Sequence, residues 1–497
     1  MVAACAGYRP PAEVAGTWHA AETAAFRLPA AAVVSELRCE LRGDGGRGDQ
    51  ARARDHLRAL AALAQEGLAA FGYLGFELGA ALELRAVAPR AEAPGASARD
   101  PVGGLASDSG GGSRRPTGAT EFAAAADGLW LVFDPRDLQP VPAAQATSAD
   151  EAAVAEGSAA VEAWLAGLSE GSAPFAREVE AVLDAIADGR VYQVNLSRAL
   201  PLPRRWAEAA HAVDPVSLWR ALSAAQQVPY AAIIDLPSRG SPGGPPERLI
   251  SASMERLVRV SPAGASPTRL ASSRPIKGTS ARALEAAGAG QVEDLRRRAA
   301  LLASAKERAE NTMIVDMVRH DLGRVATADG VRVRALCEAV AYRTLWHLES
   351  EVEAVLAPEV DSAALLEALL PPASVSGAPK IAAIEQIVVR EARRRGPYCG
   401  ALGALWPDGR VELAVGIRQA IVGPGGGELA VGAGIVADSD PLAEWGELLT
   451  KTRGLANALA AVSLAHGQRS IATGPYLPGR THRRPDTASV GRTAPLR

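Results

Sequence analysis

The stretch ALGALWPDGRVELAV, residues 401–415, with IRQAIVGPGGGELAVGAGI, residues 417–435, decides the fold. Short apolar runs alternate with Pro407-Asp408-Gly409 and Gly423–Gly427, which are turn-forming clusters. Residues 398–435 therefore read as antiparallel strands joined by tight turns. Arg418 reads as mid-strand, between Ile417 and Ala420. An arginine there is expensive to bury unpaired. Aimed inward it suits bidentate carboxylate binding, and aimed outward it is a surface strand residue. Gly432-Ala433-Gly434 is a weak glycine signal by itself. Beyond it, Asp440-Pro441 opens a helix, with Asp as N-cap and Pro in the first turn. On that helix Glu444, Glu447 and Lys451 share one face.

Moving toward the N-terminus, residues 283–325 are mostly helical, and Glu307 and Glu310 share a face at i, i+3. Arg248–Ala252 and Ser253–Leu257 are strand-like, after a Pro/Gly loop at 237–247. In Val191–Ser197, strand alternation puts Tyr192, Val194 and Leu196 on one face and Gln193, Asn195 and Ser197 on the other. That polar face is either solvated or lines a pocket. Before it, Val179, Val182, Leu183 and Ile186 recur at helical spacing, with Gly189 just past the helix end. Phe71–Glu77 and Trp130–Asp134 read as strands. Residues 136–172 are polar and Ala-rich and end at a plausible boundary, Gly171–Pro174. The chain divides into an N-terminal region at 1–150, a main domain at 174–463 and a flexible tail at 464–497. Within the first, residues 91–120 lack periodicity and read as disordered.

Composition excludes several classes. With 497 residues, a net charge of −3 and a pI near 6.2, nothing points to nucleic acid. Cys5, Cys39, Cys337 and Cys399 are scattered without a CxxC pair, which fits a reducing cytoplasmic setting better than disulfides or zinc. No apolar run is long enough to span a membrane, and Met1–Pro11 lacks a signal-peptide layout. Only four lysines occur: Lys277, Lys306, Lys380 and Lys451. A lysine amine can lose its proton and act as a nucleophile or base, as arginine cannot. Lys277 sits at the centre of Ser273-Arg274-Pro275-Ile276-Lys277-Gly278-Thr279. Lys380 closes Ser374-Val375-Ser376-Gly377-Ala378-Pro379-Lys380, where small residues could open backbone N–H groups to an anion beside a helix starting at Pro379. The two Glu-x-x-Glu helices, if they meet, offer an all-oxygen site of the kind Mg²⁺ uses; otherwise they are solvated faces.

Taken in order, these stretches resemble the chorismate-utilising enzymes, a family that includes component I of anthranilate synthase and of aminodeoxychorismate synthase, isochorismate synthase and salicylate synthase. The resemblance runs over about residues 174–460, through Tyr192–Ser197, Ser253–Arg256, Arg274–Thr279, Glu310–Arg324, His347-Leu348, Ser374–Lys380, Gly396–Gly403, Ile417-Arg418 and Ala433–Lys451. It implies an α+β fold, with a large two-sheet antiparallel β core, outer helices and the N-terminal region folded onto it. It implies a Mg²⁺ site for chorismate: Glu310 and Glu447 match metal ligands, with Glu307 and Glu444 beside them. Tyr398 and Arg418 match residues that hold one substrate carboxylate, and Lys451 lies near the other. Gln193, Thr279, Ser376, Gly432 and Gly434 line the substrate pocket by the same likeness. Glu255 matches the general acid for the departing C4 hydroxyl, and His347 the pocket histidine.

Two positions discriminate within the family. Isochorismate and salicylate synthases place a water-activating Lys where this chain has Gln193. Anthranilate synthases carry Ala where this chain has Lys277, and aminodeoxychorismate synthases carry Lys there, as the nucleophile. The resemblance thus implies amination of chorismate at C4 to 4-amino-4-deoxychorismate, the precursor of para-aminobenzoate and folate. None of the cysteines has the glycine-rich elbow of a glutaminase, so ammonia is expected from a separate glutamine amidotransferase subunit. The alternatives are anthranilate synthase component I, a silent chorismate-binding subunit, and a Mg²⁺-dependent hydrolase. Met254, His320 and Pro371-Pro372-Ala373 depart from the family pattern without removing a proposed catalytic group. No tryptophan-binding motif is recognisable in residues 1–60.

Overall fold

The computed structural model describes residues 3–8, 24–27, 33–39, 47–83, 128–133, 139–141, 147–236, 246–261, 268–283 and 289–472, except positions 67, 227, 343–344 and 392. The segment expected to be disordered, 91–120, and the tail beyond 472 lie outside the described residues.

Elements are numbered along the chain. The first sheet runs β15 (Gly377–Ala378), β7 (Gln193–Pro201), β19 (Gly426–Ile435), β18 (Gln419–Gly423), β9 (Glu247–Ser253), β8 (Tyr230–Leu236), β1 (Ala3–Tyr8), β2 (Ala24–Arg27) and β6 (Gln139–Val141). The second runs β12 (Ile276–Ala281), β14 (Leu345–Leu356), β11 (Leu270–Arg274), β10 (Arg256–Val260), β17 (Val411–Val415), β16 (Ala401–Leu405), β4 (Ala69–Leu74), β5 (Gly128–Phe133) and β3 (Val33–Cys39), with β13 (Ala326–Ala341) also paired to β14. Neighbours pair antiparallel, as the short late hairpins demanded. The fold is α+β, with one apolar core drawing Leu196, Ile250 and Val431 from the first sheet and Val258, Leu413 and Leu74 from the second. Strands of the 1–150 region join both sheets.

Helices cover this core: α1 (Arg47–Leu63), α2 (Phe76–Glu83), α3 (Ser148–Gly167), α4 (Ser172–Ala187), α5 (Arg204–Ala212) and α6 (Pro215–Ala225) come first. They are followed by α7 (Ala289–Ala303), α8 (Ala305–Gly323), α9 (Ser362–Leu369), α10 (Lys380–Arg390) and α11 (Pro441–Ala472). The last packs on α3, α4, α5, α6 and β19, and α8 packs on β12, β13 and β14. As expected, Asp440 accepts from the N–H groups of Leu442 and Ala443 at the start of α11. Gly189 (φ +72°) follows α4. Among the described residues no helix is long and apolar enough to cross a membrane.

Several expectations are corrected. Residues 148–167, read only as polar and Ala-rich, are helix: Thr147 and Asp150 form a reciprocal capping box that starts α3. Helix α4 runs through the expected boundary at 174, and α11 passes 463 to end at Ala472. Phe76 and Glu77 open α2 instead of ending a strand, and the Glu77 carboxylate accepts from the backbone N–H of Gly396 at 3.0 Å. Tyr192 precedes β7 and is 67% exposed.

The decisive strands do not stay in one sheet. β16 and β17 belong to the second, β18 and β19 to the first. The chain changes sheets at Gly416-Ile417-Arg418, so Arg418 lies in a link, not mid-strand, with φ +53°. β9 and β10 make the same change at Met254-Glu255. The two links run side by side: Val415 N–H donates to the Glu255 carbonyl and Ala252 N–H to that of Arg418, both at 3.0 Å. Gly416 is needed here, because a Cβ would stand 2.4 Å from the Pro397 carbonyl oxygen.

Beside the crossing lies a buried ion pair. Arg395 donates twice to Glu391, at 2.9 and 2.6 Å, and also to the carbonyls of Val375 and Asn195. Glu391 accepts in turn from the backbone N–H and hydroxyl of Ser197. The pair thereby ties β7 to the turn before β15. Removing one buried partner leaves the other charge uncompensated. Glu391→Ala should lower stability by about 3–5 kcal/mol, read as the shift of the urea midpoint. An unchanged midpoint would show that the pair does not hold these segments.

Candidate functional site

The site forms where the two sheets meet. On β12 the Lys277 amine lies 3.5 Å from Glu310 Oε2, on α8. Lys277 also reaches the opposite sheet: a Cβ on Gly434 of β19 would fall 2.2 Å from Lys277 Nζ and 3.0 Å from Gln193 Nε2. Glycine at 434 leaves room for both side chains. The Gln193 amide is fully buried, yet both its polar atoms lack a hydrogen-bond partner. A buried amide in that condition is poised to meet a ligand. Gly432, two residues back on the same strand, gives room to the Tyr398 hydroxyl, which would stand 3.0 Å from a Cβ there.

Glu255 sits in the first link, 4% exposed. Burial pushes its carboxyl up to about 7, against the Ser374 hydroxyl, the Ile276 N–H and Lys277, which favour the charged form. Near neutral pH it can therefore hold a proton to give. Arg418, in the neighbouring link, has no carboxylate within ion-pair distance among the described residues. Burial lowers its pKa, while Tyr398, Glu447 and Glu255 act to raise it. A buried guanidinium with no carboxylate partner suits an incoming carboxylate.

His347, on β14, is register partner to Thr279 and meets its hydroxyl at 3.1 Å through Nδ1. Its Nε2 is buried without a partner. Burial, then the charges of Arg418 and Lys451, drive its pKa down to about 3, so the ring is neutral. On α11, Lys451 Nζ contacts Glu447 Oε1 at 2.5 Å and the Gly432 carbonyl at 3.3 Å. Burial lowers the Lys451 pKa, and Glu447 opposes that shift.

Of the four glutamates on the two helices, Glu307 feels the charges of Glu310 and Glu447, and Glu444 that of Glu447. Glu307 is raised by burial and by the charges of Glu310 and Glu447, and its Oε2 lies against Gly278. Glu444 is raised by burial and by Glu447, while the Ser439 hydroxyl donates to it at 2.6 Å. Glu447 is instead lowered, first by Lys451. Among the described residues, no three His, Cys, Asp or Glu side chains already form a metal cage. Carboxylates of like charge on two helices, all oxygen donors, fit a hard cation completed by water and substrate.

Two expectations fail. The Ser376 hydroxyl turns into its own loop, donating to the Pro372 carbonyl at 3.0 Å. It is Ser374 that reaches Glu255, a residue of the same quoted stretch that sequence reasoning passed over. Lys380 faces no anion cradle, since its amine is spent on buried Asp321 at 2.6 Å.

This constellation, on two sheets that exchange strands, belongs to a known class. The model of the chorismate binding enzyme family matches residues 17–457, and the chain belongs to that family. Among curated relatives, anthranilate synthase component 1 of Streptomyces coelicolor is 37% identical over 324 residues, covering 65% of this chain and 57% of the relative. The aminodeoxychorismate synthase of Streptomyces pristinaespiralis is 36% identical over 296 residues, covering 59% of this chain and 37% of the relative. The chain thus spans less than two thirds of either relative's length. The solved structure designated as the isochorismate synthase DhbC of Bacillus anthracis has a TM-score of 0.62 at 20% identity, covering 92% of this chain and 96% of that one, a likeness of fold.

The Glu255 shift carries a stability consequence. Its carboxyl binds a proton more tightly folded, at about 7, than at the ordinary 4.5. That contribution is complete below the lower value, is lost as pH rises toward the higher one, and is flat above it. Glu255→Gln should remove it. Wild-type stability should fall relative to Glu255→Gln by on the order of 3 kcal/mol between acid and neutral pH, measured by urea denaturation. A difference that does not change with pH would contradict a protonated Glu255.

Proposed function

We propose that this chain is component I of an aminodeoxychorismate synthase, aminating chorismate at C4. The observation that carries it is Lys277, whose amine stands over Gly434 beside the unpartnered Gln193 amide, with the proton-holding Glu255 close by. Chorismate is a dicarboxylate. Arg418 and Tyr398 take one carboxylate, and Lys451 lies near the other. Glu255 gives its proton to the C4 hydroxyl while Lys277 Nζ attacks C2; both conjugated ring double bonds shift toward C4, the C4–O bond breaks and water leaves. Ammonia then attacks C4, the electrons return, and the bond from C2 to Lys277 breaks. The product is 4-amino-4-deoxychorismate, on the route to para-aminobenzoate and folate.

Gln193 supports amination over hydroxylation, because an amide cannot deprotonate water. Glu310 and Glu447, with Glu307 and Glu444 beside them, would hold Mg²⁺. Mg²⁺ bound there would neutralise substrate charge and act as a Lewis acid. A separate glutamine amidotransferase subunit supplies the ammonia, with ammonium salts as the substitute in vitro. Anthranilate synthase component I is the second reading, favoured by the name of the Streptomyces coelicolor relative.

The test is product analysis by HPLC and mass spectrometry with chorismate, Mg²⁺ and ammonium. Wild type should form aminodeoxychorismate, and EDTA should stop turnover until Mg²⁺ is restored. Lys277→Ala should be inactive, and Glu255→Gln slower by about 10²–10⁴-fold. Anthranilate as the product would move the chain to the second reading and leave Lys277 without this role. Isochorismate or salicylate would defeat the argument from Gln193.

A further inference from the structure

Strand β12 is irregular where it carries Lys277. Ile276 faces Glu349 of β14 and Thr279 faces His347, so three steps along β12 match two along β14. The extra residue makes a β-bulge at Lys277-Gly278, opposite Leu348, and Gly278 takes φ +95° there. A bulge interrupts the ladder and re-aims a side chain. It also leaves the extra residue unpaired within the ladder, and a buried carbonyl needs a donor from somewhere.

Helix α8 supplies one. Asn311 is 1% exposed. Its Nδ2 donates to the Lys277 carbonyl at 3.3 Å and to the Leu348 carbonyl at 3.0 Å, one on each side of the bulge. The Ser350 hydroxyl donates to Asn311 Oδ1 and itself accepts from the Cys337 N–H at 2.9 Å. That contact fixes which way the amide points, with its nitrogen toward the two carbonyls. Asn311 directly follows Glu310, whose Oε2 lies 3.5 Å from the Lys277 amine. Consecutive residues of α8 thus hold Lys277 at both ends, Asn311 by the main chain and Glu310 by the side chain. One turn earlier on the same helix, Glu307 Oε2 would stand 3.0 Å from a Cβ on Gly278.

We propose that Asn311 is a positioning residue for Lys277: its amide pins the bulge to α8 and so sets where the Lys277 amine stands relative to the carbon it attacks. The inference rests on the reading of Lys277 as the nucleophile. Attack needs the reacting atoms about 3–3.5 Å apart, and lysine carries its amine at the end of a flexible stem. Such a side chain is only as well placed as the backbone beneath it. Glu310 cannot do this alone: on the proposed reading it is also a metal ligand, so its contact with the amine loosens when the site is loaded. The Asn311 contacts carry no charge and need not change.

Steady-state kinetics on the whole chain, with chorismate, Mg²⁺ and ammonium each varied in turn, test this. Asn311→Ala should lower kcat by on the order of 10²-fold. The KM for chorismate and the Mg²⁺ concentration for half-maximal rate should stay within about twofold of wild type, because Arg418, Tyr398 and the glutamates keep their places. Ser350→Ala, which frees the amide to turn without removing it, should lower kcat in the same sense by less. It decides the matter if Asn311→Ala does not fold. Wild-type kcat in the folded variants, with Lys277→Ala inactive, overturns the role of Asn311 alone. So does a loss seen only as a weaker response to chorismate or Mg²⁺, since the amide would then serve the helix and not the lysine. If Lys277→Ala itself keeps the wild-type rate, the nucleophile assignment falls, and the role of Asn311 with it.

Discussion

Two backbone hydrogen bonds hold the site together: Val415 N–H to the Glu255 carbonyl, and Ala252 N–H to the Arg418 carbonyl. They pair two strands at the point where both leave one sheet for the other. At such a point the ladder is interrupted, so side chains from the links are free of the usual in-and-out alternation. Glu255 and Arg418, the acid and the carboxylate-binding group of the proposed reading, both come from these links. Their closeness is a consequence of the crossing, and any packing error that separated the strands would separate the two groups as well. The close backbone approach at Gly416 and the positive φ of Arg418 are the local conditions of the same turn.

The charges of the site are balanced internally. Lys277 rests against Glu310, and Lys451 against Glu447. Arg418 stands outside both pairs. Lys277 is on the second sheet and Lys451 on α11, and each glutamate is on a helix that packs against a different sheet, α8 on the second and α11 on the first. Pairing lysine with carboxylate lowers the cost of burying either one. A cation and an anionic substrate arriving together would, on the proposed reading, exchange partners with groups already in place, with little new charge to desolvate. On the proposed reading, this is why the metal-binding glutamates need no finished cage: waters and substrate oxygens complete the shell.

Much of this was legible in the sequence because it depends on local order. Asp440-Pro441 starts a helix wherever it stands, and Glu444, Glu447 and Lys451 then share a face. The glycines at 432 and 434 carried meaning only once Tyr398, Lys277 and Gln193 were seen to press on them. The sheet change was not legible: Arg248–Ser253 and Arg256–Val260 look like one strand because apolar patterning reports burial, not which neighbour a strand pairs with. Lys380 misled for a related reason. Its rarity marked it as functional, but its partner, Asp321, lies 59 residues away on another helix. Thr147 and Asp150 were a readable capping box, obscured by the alanine-rich run that follows.

Glu349 shows where sequence reasoning stops. Strand alternation places it on the face of His347, which is correct, yet a glutamate two positions from a pocket residue reads as solvated until its partners are known. Burial alone would favour a neutral carboxyl there. The Tyr342 hydroxyl and the charges of two arginines oppose that without reversing it, and they come from the turn before β14 and from two other strands. The acid strength of Glu255 is set first by burial in its own link, with Glu349 a smaller like charge beside it. A carboxyl buried with only Ser374 and one N–H would lean toward the neutral form by desolvation alone.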